Sequence, residues 1–259
     1  MAVDKHSLRQ WVNLSAIILA FITNIVSNLV PIGGMNVGQI ANKYFNDVLV
    51  LPANFAFSIW GLIYIGLIGF GFYAASKRNK YHPRLEKIGY WLALASVAQI
   101  FWIILFQYQA FTTSVIAMLV ILISLIILYR KLHINLVSTA GREKWFIDYP
   151  ISLYLGWISV ATIVNIASAL RAFNWDGWGI SNLVWAVTIL LVATALGIYF
   201  ALKRNDRVYP GVLVWAFLAI AIKHIYTPFF ATVTIVLAIV LALFMIVPQF
   251  SKNKLKSSI

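Results

Sequence analysis

Eight apolar runs, each close to the length a helix needs to cross a bilayer, restrict this sequence to one class of fold; they lie at 12–32, 54–76, 88–108, 112–131, 150–171, 181–202, 209–226 and 229–249. A hydrocarbon core takes roughly 20 residues of helix, and only helices or closed barrels satisfy their backbone groups in lipid. The expectation is therefore an all-α, polytopic transmembrane helix bundle of about eight spans. Composition agrees, since 62% of the 259 residues are hydrophobic and only 10% are charged, whereas a soluble domain carries roughly 25% charge. The last two runs are separated only by Tyr226-Thr227-Pro228. Pro228 can open a helix and tends to end the preceding one, so two spans are expected there rather than one broken element.

The basic residues test this count. Seventeen of the twenty fall on one side of an eight-span layout, in the clusters Lys5/Arg9, Lys77–Lys87, Arg130–Lys144, Lys203–Arg207 and Lys252–Lys256. Only Lys43, Arg171 and Lys223 fall on the other. By the positive-inside rule both termini are expected in the cytoplasm, in an inner or plasma-type membrane. The net charge of +13 is explained by these loop anchors, so no nucleic-acid partner is expected. The first run, interrupted by Asn24, Ser27 and Asn28 and lacking a small-x-small cleavage site, reads as an uncleaved helix.

Catalytic chemistry finds little footing. Cysteine is absent, and the acids Asp4, Asp47, Glu86, Glu143, Asp148, Asp176 and Asp206 all avoid the middle of a span. No paired carboxylates, His-x-x-x-His or phosphate loop occurs, so neither an enzyme nor a metal site is expected. Lys223, at the outer end of the seventh run, is expected to snorkel to the interface. No intramembrane carboxylate accompanies it, which disfavours a retinal Schiff base.

Three runs carry aromatic and polar residues at helical spacing. Phe57, Trp60 and Tyr64 share a face in the second, and Gln99, Trp102 and Phe106 in the third. Tyr154, Trp157, Ala161, Asn165 and Ser168 do so in the fifth. Buried amides need partners, so these stripes should face the bundle interior. Two readings stand: a cavity for a flat, mostly apolar ligand, with rings as stacking surface and Gln99 and Asn165 as polar orienters, or plain interhelical packing. Asn24 and Asn28 read as interhelical glue. The 33–53 connection, with Ile40, Ala41, Tyr44, Phe45 and Val48 at helix-like spacing, reads as an amphipathic segment over the bundle mouth or on the headgroups.

At these stripes the chain resembles the TspO/MBR (translocator protein, tryptophan-rich sensory protein) family of five-helix membrane bundles. The second-helix pattern appears as Pro52, Trp60 and Tyr64 within PANFAFSIWGLIY. The third-helix Asn-x-x-Trp-x-x-Leu-Phe-Phe appears as Gln99-Ile-Phe-Trp102-Ile-Ile-Leu105-Phe106-Gln107. The fifth-helix motif appears as LYLGWISVATIVN, aligned through Tyr154, Leu155, Trp157, Ala161 and Asn165, with Leu153 where the family has Pro and Val160 where it has Phe. The family's Trp-Tyr and paired prolines between the first two helices are missing, save Pro52.

The resemblance covers roughly residues 12–172 and implies a five-helix bundle over 1–172, with three additional helices and a basic tail over 173–259. It implies a membrane receptor for a porphyrin, other tetrapyrrole or sterol-like ligand, with no required cofactor. Membrane lipid and that hydrophobic small molecule are the expected partners, and a homodimer is a candidate assembly. The implied ligand-binding residues are Pro52, Phe57, Trp60, Tyr64, Gln99, Trp102, Phe106, Tyr154, Trp157, Ala161 and Asn165. The rival reading is a multi-pass small-molecule transporter, with the extra helices as its second half.

Overall fold

The computed structural model describes residues 4–137, 139 and 141–247, so the expected basic tail lies outside the described residues. Helices form at all eight apolar runs: α1 (Lys5–Leu29), α2 (Ile59–Ala75), α3 (Trp91–Gln107), α4 (Phe111–Lys131), α5 (Tyr149–Ala172), α6 (Asn182–Arg204), α7 (Val208–Lys223) and α8 (Pro228–Ile246). The chain is a polytopic helical bundle. Its boundaries follow local chemistry. The Asp4 side chain caps α1 by accepting the His6 N–H, so α1 starts seven residues before the apolar run. Asn205, in the left-handed region at φ 53°, ends α6. Pro228 opens α8 at the first-turn position where its missing N–H costs nothing.

Among the described residues six segments are long and apolar enough to cross a membrane by themselves, the second of them being α2 extended by the 3₁₀ turn Asn54–Ser58. The other two, α3 and α7, have 17 and 16 residues. At ~1.5 Å per residue they fall short of a ~30 Å core. Both are heavily buried between neighbouring helices, and a helix surrounded by protein need not match the lipid thickness alone.

The first five helices close into a ring in the order α2, α1, α3, α4, α5 and back to α2. The last three pack on one another and dock through α7 onto α5. Close approach there depends on Gly156, where a Cβ would sit 3.0 Å from Val212 Cβ. The basic end is tied by side chains. Asp206, fully buried, accepts hydrogen bonds from Tyr129 of α4 and Ser152 of α5 and caps α7 through the Val208 and Tyr209 N–H groups. Arg84, between α2 and α3, pairs with Glu143 at 2.7 Å and with the fully buried Asp148 at 2.6 Å, and donates to the Leu132 carbonyl.

The opposite end is roofed by the connection between α1 and α2. Its short helix Val37–Tyr44 carries a reciprocal cap between Asn36 and Gln39. Ile40, Ala41, Phe45, Val48, Val50 and Leu51 are buried in the common core, and Phe45 meets Phe111 edge-on at 4.7 Å. The segment therefore sits over the ring mouth. Lys223 does not snorkel: its Nζ is buried and has no hydrogen-bond partner. The roof is the reason, because its descending limb reaches that helix end, with Leu49 at His224 and Asp47 acting electrostatically on Lys223.

Candidate functional site

Beneath the roof, α2, α3 and α5 face one another around a cavity of about 40 Å³. Eight of the eleven residues implied as ligand-binding line it: Pro52, Phe57, Trp60, Trp102, Phe106, Trp157, Ala161 and Asn165. They converge because each stripe occupies the inward face of its helix, and the ring closure of α2 on α5 brings the roof-side ends of those faces together. Val160, Val164 and Ser168 of α5 complete one wall, and the roof supplies Val37, Ala41 and Leu51. The rings brace each other: Phe57 meets Trp157 edge-on at 6.0 Å, and Trp102 meets Phe106 at 5.5 Å.

Tyr64, Gln99 and Tyr154 do not line the cavity. They form its support on the side toward the membrane interior, where Trp60 stacks on Tyr64 at 5.7 Å and meets Tyr154 edge-on at 6.0 Å. The Gln99 amide donates to the Tyr64 hydroxyl and accepts from the Tyr154 hydroxyl, while Tyr64 donates to the Ala20 carbonyl of α1. This chain of hydrogen bonds joins four helices and uses the Gln99 amide internally, 1% exposed.

Asn165 does reach the cavity, but its amide is also engaged. Its Oδ1 accepts from the Trp102 indole at 2.8 Å, and its Nδ2 donates to Ser114 of α4 at 2.9 Å. The indole N–H of Trp157 differs: it is buried, in a side chain 2% exposed, and has no partner. A buried donor left unpaired costs about 1–3 kcal/mol. Unlike the Trp102 indole, it keeps an open hydrogen-bonding demand.

A second chamber of about 310 Å³ opens beside the first and shares Val37, Phe57, Trp60 and Trp102 with it. Its remaining walls are polar, from Asn24, Ser27 and Asn28 of α1, Asn36, Gly38 and Gln39 of the roof, and Asn54. Asn24 and Asn28 thus face this vestibule instead of bridging helices, and the Asn28 amide donates within α1 to the Asn24 carbonyl. The sequence marked the roof but not the role of its amides, whose only visible signal is the run of Asn and Gln residues flanking a short helix. Gln107, which stands where the motif carries Phe, is structural: it accepts from Ile32 N–H and donates to the Ser27 carbonyl, fixing the roof to α3 and α1. Among the described residues no group of three or more His, Asp or Glu side chains is placed to hold a metal ion.

Neither a curated protein nor a solved structure matches the chain. A family model described as TSPO-like protein matches residues 10–247. That span takes in all of α6, α7 and α8 as well as the five-helix ring except the first turn of α1, and the chain belongs to this family.

Proposed function

We propose that this member of the TSPO-like family is a membrane receptor that seats a flat, mostly apolar molecule, such as a tetrapyrrole or a sterol-like ring system, against the aromatic walls contributed by α2, α3 and α5. The observation that carries the reading is the ring-lined cavity with the unpartnered Trp157 N–H in its wall. Fixed rings offer stacking surface at little entropic cost, and an open donor offers one oriented hydrogen bond. Size sets the binding mode. Ligand pockets typically measure ~300–1,000 Å³, so the inner cavity takes an edge or substituent, while the vestibule, at about 310 Å³, holds the larger part. The Val37–Tyr44 helix forms a wall common to both and is the element that would shift for deeper seating.

On this reading residues 1–172 carry the site, and α6, α7 and α8 buttress α5 through α7. The basic loops face the cytoplasm in an inner or plasma-type membrane, and the role is binding without catalysis. The test is a fluorescence titration of the purified protein with porphyrins and sterols, paired with a flux assay in proteoliposomes. Saturable quenching of tryptophan emission without transmembrane flux is expected. Flux of the bound compound would favour the transporter reading, and the absence of saturable binding by either ligand class would refute the receptor.

A further inference from the structure

The two chambers differ in polarity but agree in one respect: among the described residues no Lys, Arg, Asp or Glu side chain lines either of them. The polar groups of the vestibule are five amides and the Ser27 hydroxyl, and four of those amides keep an NH₂ group that donates to nothing. The oxygens of Asn36 and Gln39 each accept a backbone N–H in the reciprocal cap, which fixes both amide orientations and leaves both NH₂ groups free. The Asn54 oxygen accepts from Asn42, leaving its NH₂ group free as well. Asn28 donates to the Asn24 carbonyl, and the Asn24 amide itself makes no hydrogen bond. The Trp157 N–H adds one more free donor at the inner end.

We infer that the site selects an electrically neutral ligand whose polar end carries hydrogen-bond acceptors, such as ester, ketone or ether oxygens, and disfavours the same skeleton bearing carboxylates. This rests on the proposed receptor role and narrows its ligand class. A carboxylate moved from water into a chamber with no cation loses hydration without gaining an ion pair. A neutral carbonyl loses less and is met by free amide N–H groups around a platform of Trp60 and Trp102. A purely hydrocarbon ligand would leave those amides without the partners that water gave them.

Three probes with closely related macrocycles separate these cases: etioporphyrin, with alkyl groups only; protoporphyrin IX dimethyl ester, neutral with carbonyl acceptors; and protoporphyrin IX, with free carboxylates. Affinities are read by tryptophan quenching of the full-length protein in one zwitterionic detergent at pH 8. Wild-type and variant proteins are compared in the same micelles, so that partitioning cancels. The ester is expected to bind about five- to thirty-fold more tightly than either of the others. Asn24→Leu should shrink the ester's advantage over etioporphyrin. Asn28→Lys, at an exposed position that tolerates the change, should shift preference toward the free acid by about tenfold. Tightest binding of the free acid by the wild type would overturn the inference, as would equal binding of ester and etioporphyrin. Unchanged ratios in both variants would overturn it too, since the polar groups would then lie elsewhere. Those results leave the receptor reading standing, whereas failure of all three probes to bind saturably removes the tetrapyrrole form of that reading and this inference with it.

Discussion

Replacing Trp102 and Trp157 separately by Phe removes similar indole surface from the same cavity, yet the two changes should act on different quantities. Trp102 donates at 2.8 Å to Asn165, whose amide is 2% exposed. Losing that donor weakens a buried network joining α3, α4 and α5. Interhelical hydrogen bonds in membranes average ~0.6 kcal/mol with a maximum near 1.7, and buried bonds in general contribute ~1 kcal/mol. Trp157→Phe deletes a donor that has no partner, which relieves a desolvation penalty of about 1–3 kcal/mol and offsets the packing it loses. With roughly 1 kcal/mol lost at Trp102, the difference in unfolding free energy should be about 2–4 kcal/mol, with Trp102→Phe the less stable. Binding should show the reverse emphasis. If the Trp157 N–H meets a ligand acceptor, Trp157→Phe weakens affinity by about five- to thirty-fold at nearly unchanged stability. The assay is reversible unfolding in mixed micelles alongside a quenching titration of each variant. Equal stability losses with equal affinities would refute the reasoning, because the two N–H groups would then be equivalent.

Other consequences can be checked separately. Gly156→Leu should cost roughly 1–3 kcal/mol by forcing α7 off α5, since even a Cβ there meets Val212 at 3.0 Å; Gly61→Ala, with nothing within 4 Å, should be neutral or stabilising by up to ~1 kcal/mol in the same unfolding assay. Arg84→Met should destabilise by roughly 3 kcal/mol because it strands the buried Asp148 carboxylate, and Arg84→Met combined with Asp148→Asn should recover part of that loss. Cysteines introduced singly at Lys80 and Asn205 should label only from the cytoplasmic side, and those at Asn42 and Gly177 only from outside. Outside labelling of Asn205 would break the eight-span topology while leaving the five-helix ring intact.

Much of this architecture is legible in the sequence because lipid imposes simple local rules. Length and hydropathy mark each helix, and Pro228 marks a boundary that the backbone obeys wherever the helices pack. The stripes through Trp60, Trp102 and Trp157 also point inward on sequence grounds, since amides and indoles at helical spacing cannot all face hydrocarbon. Tertiary structure decided how each polar group is used. Gln99 and Asn165 look alike as isolated intramembrane amides, yet Gln99 is closed off between Tyr64 and Tyr154, while Asn165 borders a cavity with its amide held by Trp102 and Ser114. Asn24 and Asn28 read as helix glue and instead line a vestibule. Lys223 reads as a snorkelling cation and is covered by a roof that begins some 180 residues earlier in the chain. Hydropathy is a property of one segment and its solvent, so the sequence carries it. Whether a donor is satisfied depends on which distant residue the fold brings within 3 Å, and no local pattern encodes that distance.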